Sequence, residues 1–131
     1  MENGKTVVLV IEPEKSNQGV IKRQLEAHDV KVIASYTLFQ GKEFFEANKK
    51  ILDFIFLDDF SETSEELIYD VKNLIEEIKS HPRFVKDKII AISKSKNHEM
   101  IKAGCHGQWS KHLLSFMKNE KFLKSDEMYE F

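Results

Sequence analysis

An α/β fold, with a doubly wound, five-stranded parallel sheet covered by helices on both faces, is what this sequence predicts. Three observations carry that expectation. Apolar runs too short for helices recur at Val7–Ile11, Phe54–Leu57 and Ile89–Ile92, and continuous runs of this length read as strands buried on both faces. Segments with a helical period lie between them, and strands alternating with helices imply parallel crossovers. Glycine and proline number only five and two, too few for an all-β chain built on tight turns.

The first strand, Val7–Ile11, is closed by Pro13. Ser16 or Asn17 then caps a helix running to about His28, with Val20, Ile21 and Leu25 facing inward. Val30–Ser35 is the second strand. Thr37 caps a second helix carrying Leu38, Phe44 and Phe45, and Phe54–Leu57 is the third strand, followed by Asp58 and Asp59. The five phenylalanines from Phe39 to Phe56 are expected in the core. Thr63 and Glu66 have capping-box spacing, and Leu67, Val71, Leu74, Ile75 and Ile78 keep the helical period to about Ser80. The fourth strand, Ile89–Ile92, ends at Ser93. Asn97–Ala103 is a short helix closed by Gly104, Cys105–Ser110 a fifth strand, and His112–Leu123 a last helix.

A length of 131 residues suits one domain. A hydrophobic share of 41% and a charged share of 32% are those of a globular chain, not a disordered one. The net charge of −2 offers no basic excess for nucleic acid. The single Cys105 excludes an internal disulfide framework and a multi-cysteine zinc site, and it reads as a buried core thiol. The five histidines lack HExxH-type metal spacing. No apolar run approaches a membrane span, and Met1–Lys5 lacks a secretory apolar segment. A cytoplasmic protein with neither a membrane nor a nucleic acid as partner is expected.

Ligands of such sheets bind beyond the carboxyl ends of the strands. The first strand ends in Glu12-Pro13-Glu14, the third in Asp58-Asp59, the fourth in Ser93 and the fifth near Lys111. Carboxylates, a hydroxyl and an ammonium thus converge on one rim.

With these residues in this order, the chain resembles the receiver domain of two-component response regulators over about residues 5–123, leaving 124–131 as a polar tail. Asp53-Phe54-Ile55-Phe56-Leu57-Asp58 is similar to the family's phosphoacceptor strand. Ile11-Glu12-Pro13-Glu14 through Leu25-Glu26 keeps the spacing from acidic pair to first helix. Ser93 matches the hydroxyl after the fourth strand, and Ala103-Gly104-Cys105 followed by Lys111 is similar to the family's Ala-Gly-Ala…Lys segment. Arg83, after His81-Pro82, sits in a similar loop. The resemblance implies a flavodoxin-like (βα)5 fold. It implies that Asp58 accepts a phosphoryl group from a histidine kinase or phosphotransfer protein, with Ser93 and Lys111 contacting that group. It implies a weakly bound magnesium ion held by Glu12, Asp58 and the backbone carbonyl of Phe60, with Glu14 as a compensating acid. Self-phosphorylation and autodephosphorylation are the most activity it implies. Output would pass by protein–protein contact through the face of the fourth helix, fifth strand and fifth helix, where Gln108 and Trp109 lie. A stand-alone receiver with no output domain is expected.

The sequence departs from the family at several points. Pro13 replaces the second acid. The loop Asp59-Phe60-Ser61-Glu62-Thr63 lacks the Met-Pro-x-x-Asp-Gly pattern. Ser93 and Lys111 are 18 residues apart, closer than usual, which shortens the fourth helix. Gln108 stands at the switch aromatic with Trp109 beside it, and His112 replaces the following proline. These departures keep open a pseudo-receiver that binds partners without phosphorylation. A flavodoxin-like enzyme or nucleotide binder is the third reading, but no Gly-rich phosphate loop follows the first strand.

Overall fold

The computed structural model describes residues 1–60, 70–81, 89–93 and 97–108. Within them the chain alternates strand and helix: β1 (Val7–Ile11), α1 (Lys15–Ala27), β2 (Lys31–Ser35), α2 (Leu38–Asn48), β3 (Phe54–Leu57), α3 (Val71–Ser80), β4 (Ile89–Ala91), α4 (Asn97–Ala103) and β5 (Gly107–Gln108). Every ladder is parallel, and the strand order is β2-β1-β3-β4-β5. The sheet is therefore wound outward from β1 in one direction and from β3 in the other. Between those two strands lies the crevice where such sheets place their ligands.

Side chains alternate across a strand, and here the alternation divides the core in two. Val7, Leu9, Ile11, Ile55, Leu57, Ile89 and Ala91 pack against α2, α3 and α4. Val8, Val10, Phe54, Phe56, Ile90 and Ile92 lie on the opposite face, where Ile21 and Leu25 of α1 cover them. Helices thus occupy both faces, which is the doubly wound arrangement expected from the sequence.

The helices differ in detail from their expected form. α1 starts two residues early, with Glu14 as its N-cap. Ser16 and Asn17 lie inside the first turn, where both side chains donate to the Glu14 carboxylate at 3.1 Å. Its inward face is Gln18, Ile21 and Leu25, so a glutamine takes the place expected for Val20, which is only partly buried. The Gln18 amide is accommodated because Nε2 donates to the carbonyls of Val10 and Ser35 at 3.0 and 2.9 Å, strapping β1 to β2.

Thr37 caps α2 as expected, accepting from the Gln40 N–H at 2.9 Å. Leu38, Gly41 and Phe45 face the sheet. Phe39, one residue off that face, is 58% exposed, so not all five phenylalanines enter the core. Gly41 lies where α2 meets β1. A β-carbon there would stand 2.7 Å from Ile11 Cδ1 and 3.0 Å from its Cγ1. Overpacking of this kind costs about 1–3 kcal/mol. Gly41→Ala is expected to lower the unfolding free energy by about that much, read as a lower urea midpoint at an unchanged slope; an unaltered midpoint would mean that Ile11 moves aside freely.

α3 carries its expected buried residues Leu74, Ile75 and Ile78, but it does not continue backward from Ser80 to Thr63. Asp70 is extended (φ −83°, ψ 159°), and its carboxylate accepts from the Asn73 N–H at 3.0 Å. An N-cap therefore starts the helix at Val71. Thr63, Glu66 and Leu67 lie outside the described residues. α4 matches its expected bounds and closes at Gly104, whose φ of +127° suits glycine. β5 starts at Gly107, two residues later than expected. Cys105 belongs to the turn before it, and Ser110 and the last helix, His112–Leu123, lie outside the described residues, as does the tail. No helix among the described residues is long and apolar enough to cross a membrane.

Candidate functional site

The register Ile11↔Leu57 brings the ends of β1 and β3 together. The Asp58 N–H donates to the Ile11 carbonyl at 3.0 Å, extending the ladder past its last paired residue. Glu12 and Asp58 therefore leave the sheet as neighbours, on strands about 5 Å apart. Both are buried, at 1% and 7% exposure. By alternation they follow Val10 and Phe56, on the side of the sheet covered by α1.

Local turns orient the two carboxylates. Glu12 Oε2 accepts from the Glu14 N–H at 3.0 Å. Asp58 Oδ2 accepts from the Phe60 N–H at 2.9 Å. Phe60 sits at φ 57°, in the left-handed region that a bulky aromatic rarely adopts. The residue is fully buried, in the core cluster on the side of the sheet covered by α2, α3 and α4. Ring burial and the bond to Asp58 together hold a backbone conformation that would otherwise relax, and so define the path of the chain after Asp58.

The expected acids do not all meet. Glu14 is exposed, and its carboxylate is engaged by Ser16 and Asn17 on the first turn of α1. Among the described residues, no group of three or more His, Cys, Asp or Glu side chains could hold a metal ion. Magnesium needs only one or two carboxylates, completed by carbonyls and water. The expected donor set of Glu12, Asp58 and the Phe60 carbonyl offers two carboxylates and a carbonyl, which fits that chemistry without a further acid at Pro13.

Ser93 lies on the other side. The register Leu57↔Ala91 and the Ile92 N–H bond to the Leu57 carbonyl at 3.0 Å put Ser93 one step beyond Asp58, beside Asp59. Continuing the alternation, both follow Leu57 and Ala91, toward α3 and α4. Ser93 is 2% exposed, and its Oγ donates to Asp59 Oδ2 at 2.8 Å. Asp59 also borders an open surface groove shared with Val71 and Lys72 of α3 and Glu99, Met100 and Ala103 of α4. Alternation alone separates Asp59 from Asp58; its bond to Ser93 was not anticipated, although the strand register is the signal that contains it. Gln108, the last described residue of β5, is partly buried. Lys111, Trp109 and Arg83 lie outside the described residues.

Cys105 is buried as expected. Burial pushes its thiol up to about 12, against a smaller opposite effect of the Lys79 charge. The thiolate is the reactive form, so the native protein at pH 8 is expected to resist alkylation and to react fully once unfolded; rapid native labelling would contradict this burial. The native state also holds the thiol proton above the ordinary value of 9.0. This group's contribution to stability is therefore complete below pH 9 and is lost as the pH climbs toward 12.

In sequence, no family model and no curated protein matches the chain. In structure, it is similar to many response regulator receiver domains. The phosphorylated cyanobacterial phytochrome response regulator RcpA superposes with a TM-score of 0.69 at 18% identity, covering 97% of this chain and 95% of that one. The Mn(2+)-bound form of response regulator Rcp1 gives 0.64 at 17% identity, covering 95% and 94%. A Saccharomyces cerevisiae receiver domain, solved with a histidine phosphotransfer protein, gives 0.64 at 17% identity over 85% and 84%. These likenesses establish the receiver fold.

Proposed function

We propose that this chain is a phosphoacceptor receiver. Asp58 takes a phosphoryl group from a histidine kinase or histidine phosphotransfer protein, and the phosphorylated domain signals through protein contacts. The observation that carries the reading is the side-by-side burial of Glu12 and Asp58 at the carboxyl ends of β1 and β3, where the winding direction reverses. The receiver fold supports it, as do the relatives solved phosphorylated, with a divalent metal, and with a phosphotransfer partner.

In the transfer, one Asp58 carboxylate oxygen forms a bond to phosphorus. The donor's P–N bond breaks, its electron pair stays on the imidazole nitrogen, and that nitrogen takes up a proton. Catalysis of phosphoryl transfer is mostly positioning and charge neutralisation. The Phe60 N–H positions Asp58, and the Glu14 N–H does the same for Glu12. Glu12, Asp58 and the Phe60 carbonyl would hold a magnesium ion, which would supply positive charge to the transferred group, and Lys111 would supply a second cation by the same reading. Ser93 donates to a phosphoryl oxygen once the group is in place. The domain acts in the cytoplasm, with the face of α4, β5 and the segment after it, including Gln108 and Trp109, as the surface for the downstream protein. Neither nucleic acid nor membrane is a partner.

Incubation with acetyl phosphate and magnesium, followed by intact mass measurement, tests the reading. A gain of one phosphoryl group is expected. No adduct from acetyl phosphate or from a phosphorylated transfer protein would replace it with a phosphorylation-independent interaction module.

A further inference from the structure

We infer that Asp59 is a positioning residue that holds the Ser93 hydroxyl away from the phosphoacceptor, so that a phosphoryl group on Asp58 must win the Ser93 proton from it. The inference rests on the phosphoacceptor reading above and names how that site is restrained.

A serine hydroxyl has one hydrogen to donate. Here it goes to Asp59 Oδ2 at 2.8 Å, and a bond to a carboxylate is roughly twice as strong as one between neutral groups. Ser93 is 2% exposed, so water is a poor substitute partner, and such a bond in a low-dielectric interior resists opening. The strand register makes the arrangement a choice between two sides. Asp58 follows Phe56 on the side of α1; Asp59 follows Leu57 on the side of α3 and α4. A phosphoryl group on Asp58 and the carboxylate of Asp59 therefore compete for one proton from opposite sides of the same strand end.

This gives the side chain two discrete positions, the kind of local element that a charge change can bias. The phosphorylated state gains only the difference between the two bonds, so Asp59 sets how far phosphorylation shifts the domain. Release of Asp59 would be felt at the open groove it borders with Val71, Met100 and Ala103, where α3 and α4 approach each other. The device thus lies between the phosphoacceptor and the helices next to the proposed output face.

Binding of beryllofluoride, a phosphoryl mimic, with magnesium tests the inference in the whole chain. Asp59→Ala is expected to bind it about fivefold more tightly than wild type, the size of one modest hydrogen bond. Asp59→Asn should gain less, because its amide oxygen still accepts from Ser93. The gain should disappear when Asp59→Ala is combined with Ser93→Ala. A gain of equal size in the Ser93→Ala background would mean simple relief of charge repulsion, and no gain at all would mean no competition; either overturns the inference. Failure of every form to bind the mimic would instead count against the phosphoacceptor reading. Proton couplings of Ser93 in the unmodified protein then decide the question separately. One rotamer in wild type and averaging in Asp59→Ala are expected, and the same single rotamer in both would overturn it.

Discussion

Asp58→Asn should abolish the phosphoryl adduct outright, whereas Asp59→Asn should keep it. The asparagine is the same shape, and its amide oxygen can still accept from the Phe60 N–H that binds Asp58 Oδ2 at 2.9 Å. What it lacks is the anionic oxygen that attacks phosphorus, and an aspartyl nucleophile has no substitute in an amide. Asp59 is a poor alternative acceptor, because its carboxylate turns toward α3 and α4 and is bonded by Ser93. Intact masses of the two variants after acetyl phosphate and magnesium decide between the neighbours. An adduct retained in Asp58→Asn and lost in Asp59→Asn would sink the assignment and move the chemistry to the other side of β3.

The features that place this site differ in how visible they are in sequence. β1, β3 and the buried run after residue 88 were legible because strands buried on both faces are apolar without interruption, and the length of each run sets its type. Their carboxyl ends follow directly, so Glu12, Asp58 and Ser93 could be put on one rim. Which of them meet was not legible, because it depends on register between strands distant in the chain. Register sets Asp58 beside Glu12 and Ser93 beside Asp59. Gln18 was missed for another reason: a glutamine reads as surface until its amide finds two strand carbonyls. The start of α3 was misplaced because Asp70 lies within an unbroken helical period, and only its capping geometry shows that the helix begins there. Phe60 carried no local signal at all. Its left-handed backbone is imposed by burial of the ring and by the bond to Asp58.

Pro13→Asp should tighten magnesium binding by about tenfold or more, since affinity for a hard cation rises with the charge of its oxygen ligands. The rim offers two buried carboxylates, Glu12 and Asp58, and the nearby Glu14 is held on its own helix by Ser16 and Asn17. The position lies between Glu12 and the α1 N-cap, Glu14, where an added acid also sits well beside the positive end of the helix. The substitution should therefore leave the fold intact, which helix content by circular dichroism would verify. Glu12→Gln should move affinity the other way, because it removes one of the two charges and leaves an oxygen that still accepts from the Glu14 N–H. Calorimetric titration of the three forms with magnesium checks both directions without any phosphoryl donor. Equal affinities in wild type and Pro13→Asp, with the fold preserved, would show that the cation does not sit on this rim. A tighter Pro13→Asp that also gains its adduct faster from acetyl phosphate would tie the ion to Asp58, because charge neutralisation next to the nucleophile is what a missing acid would have limited.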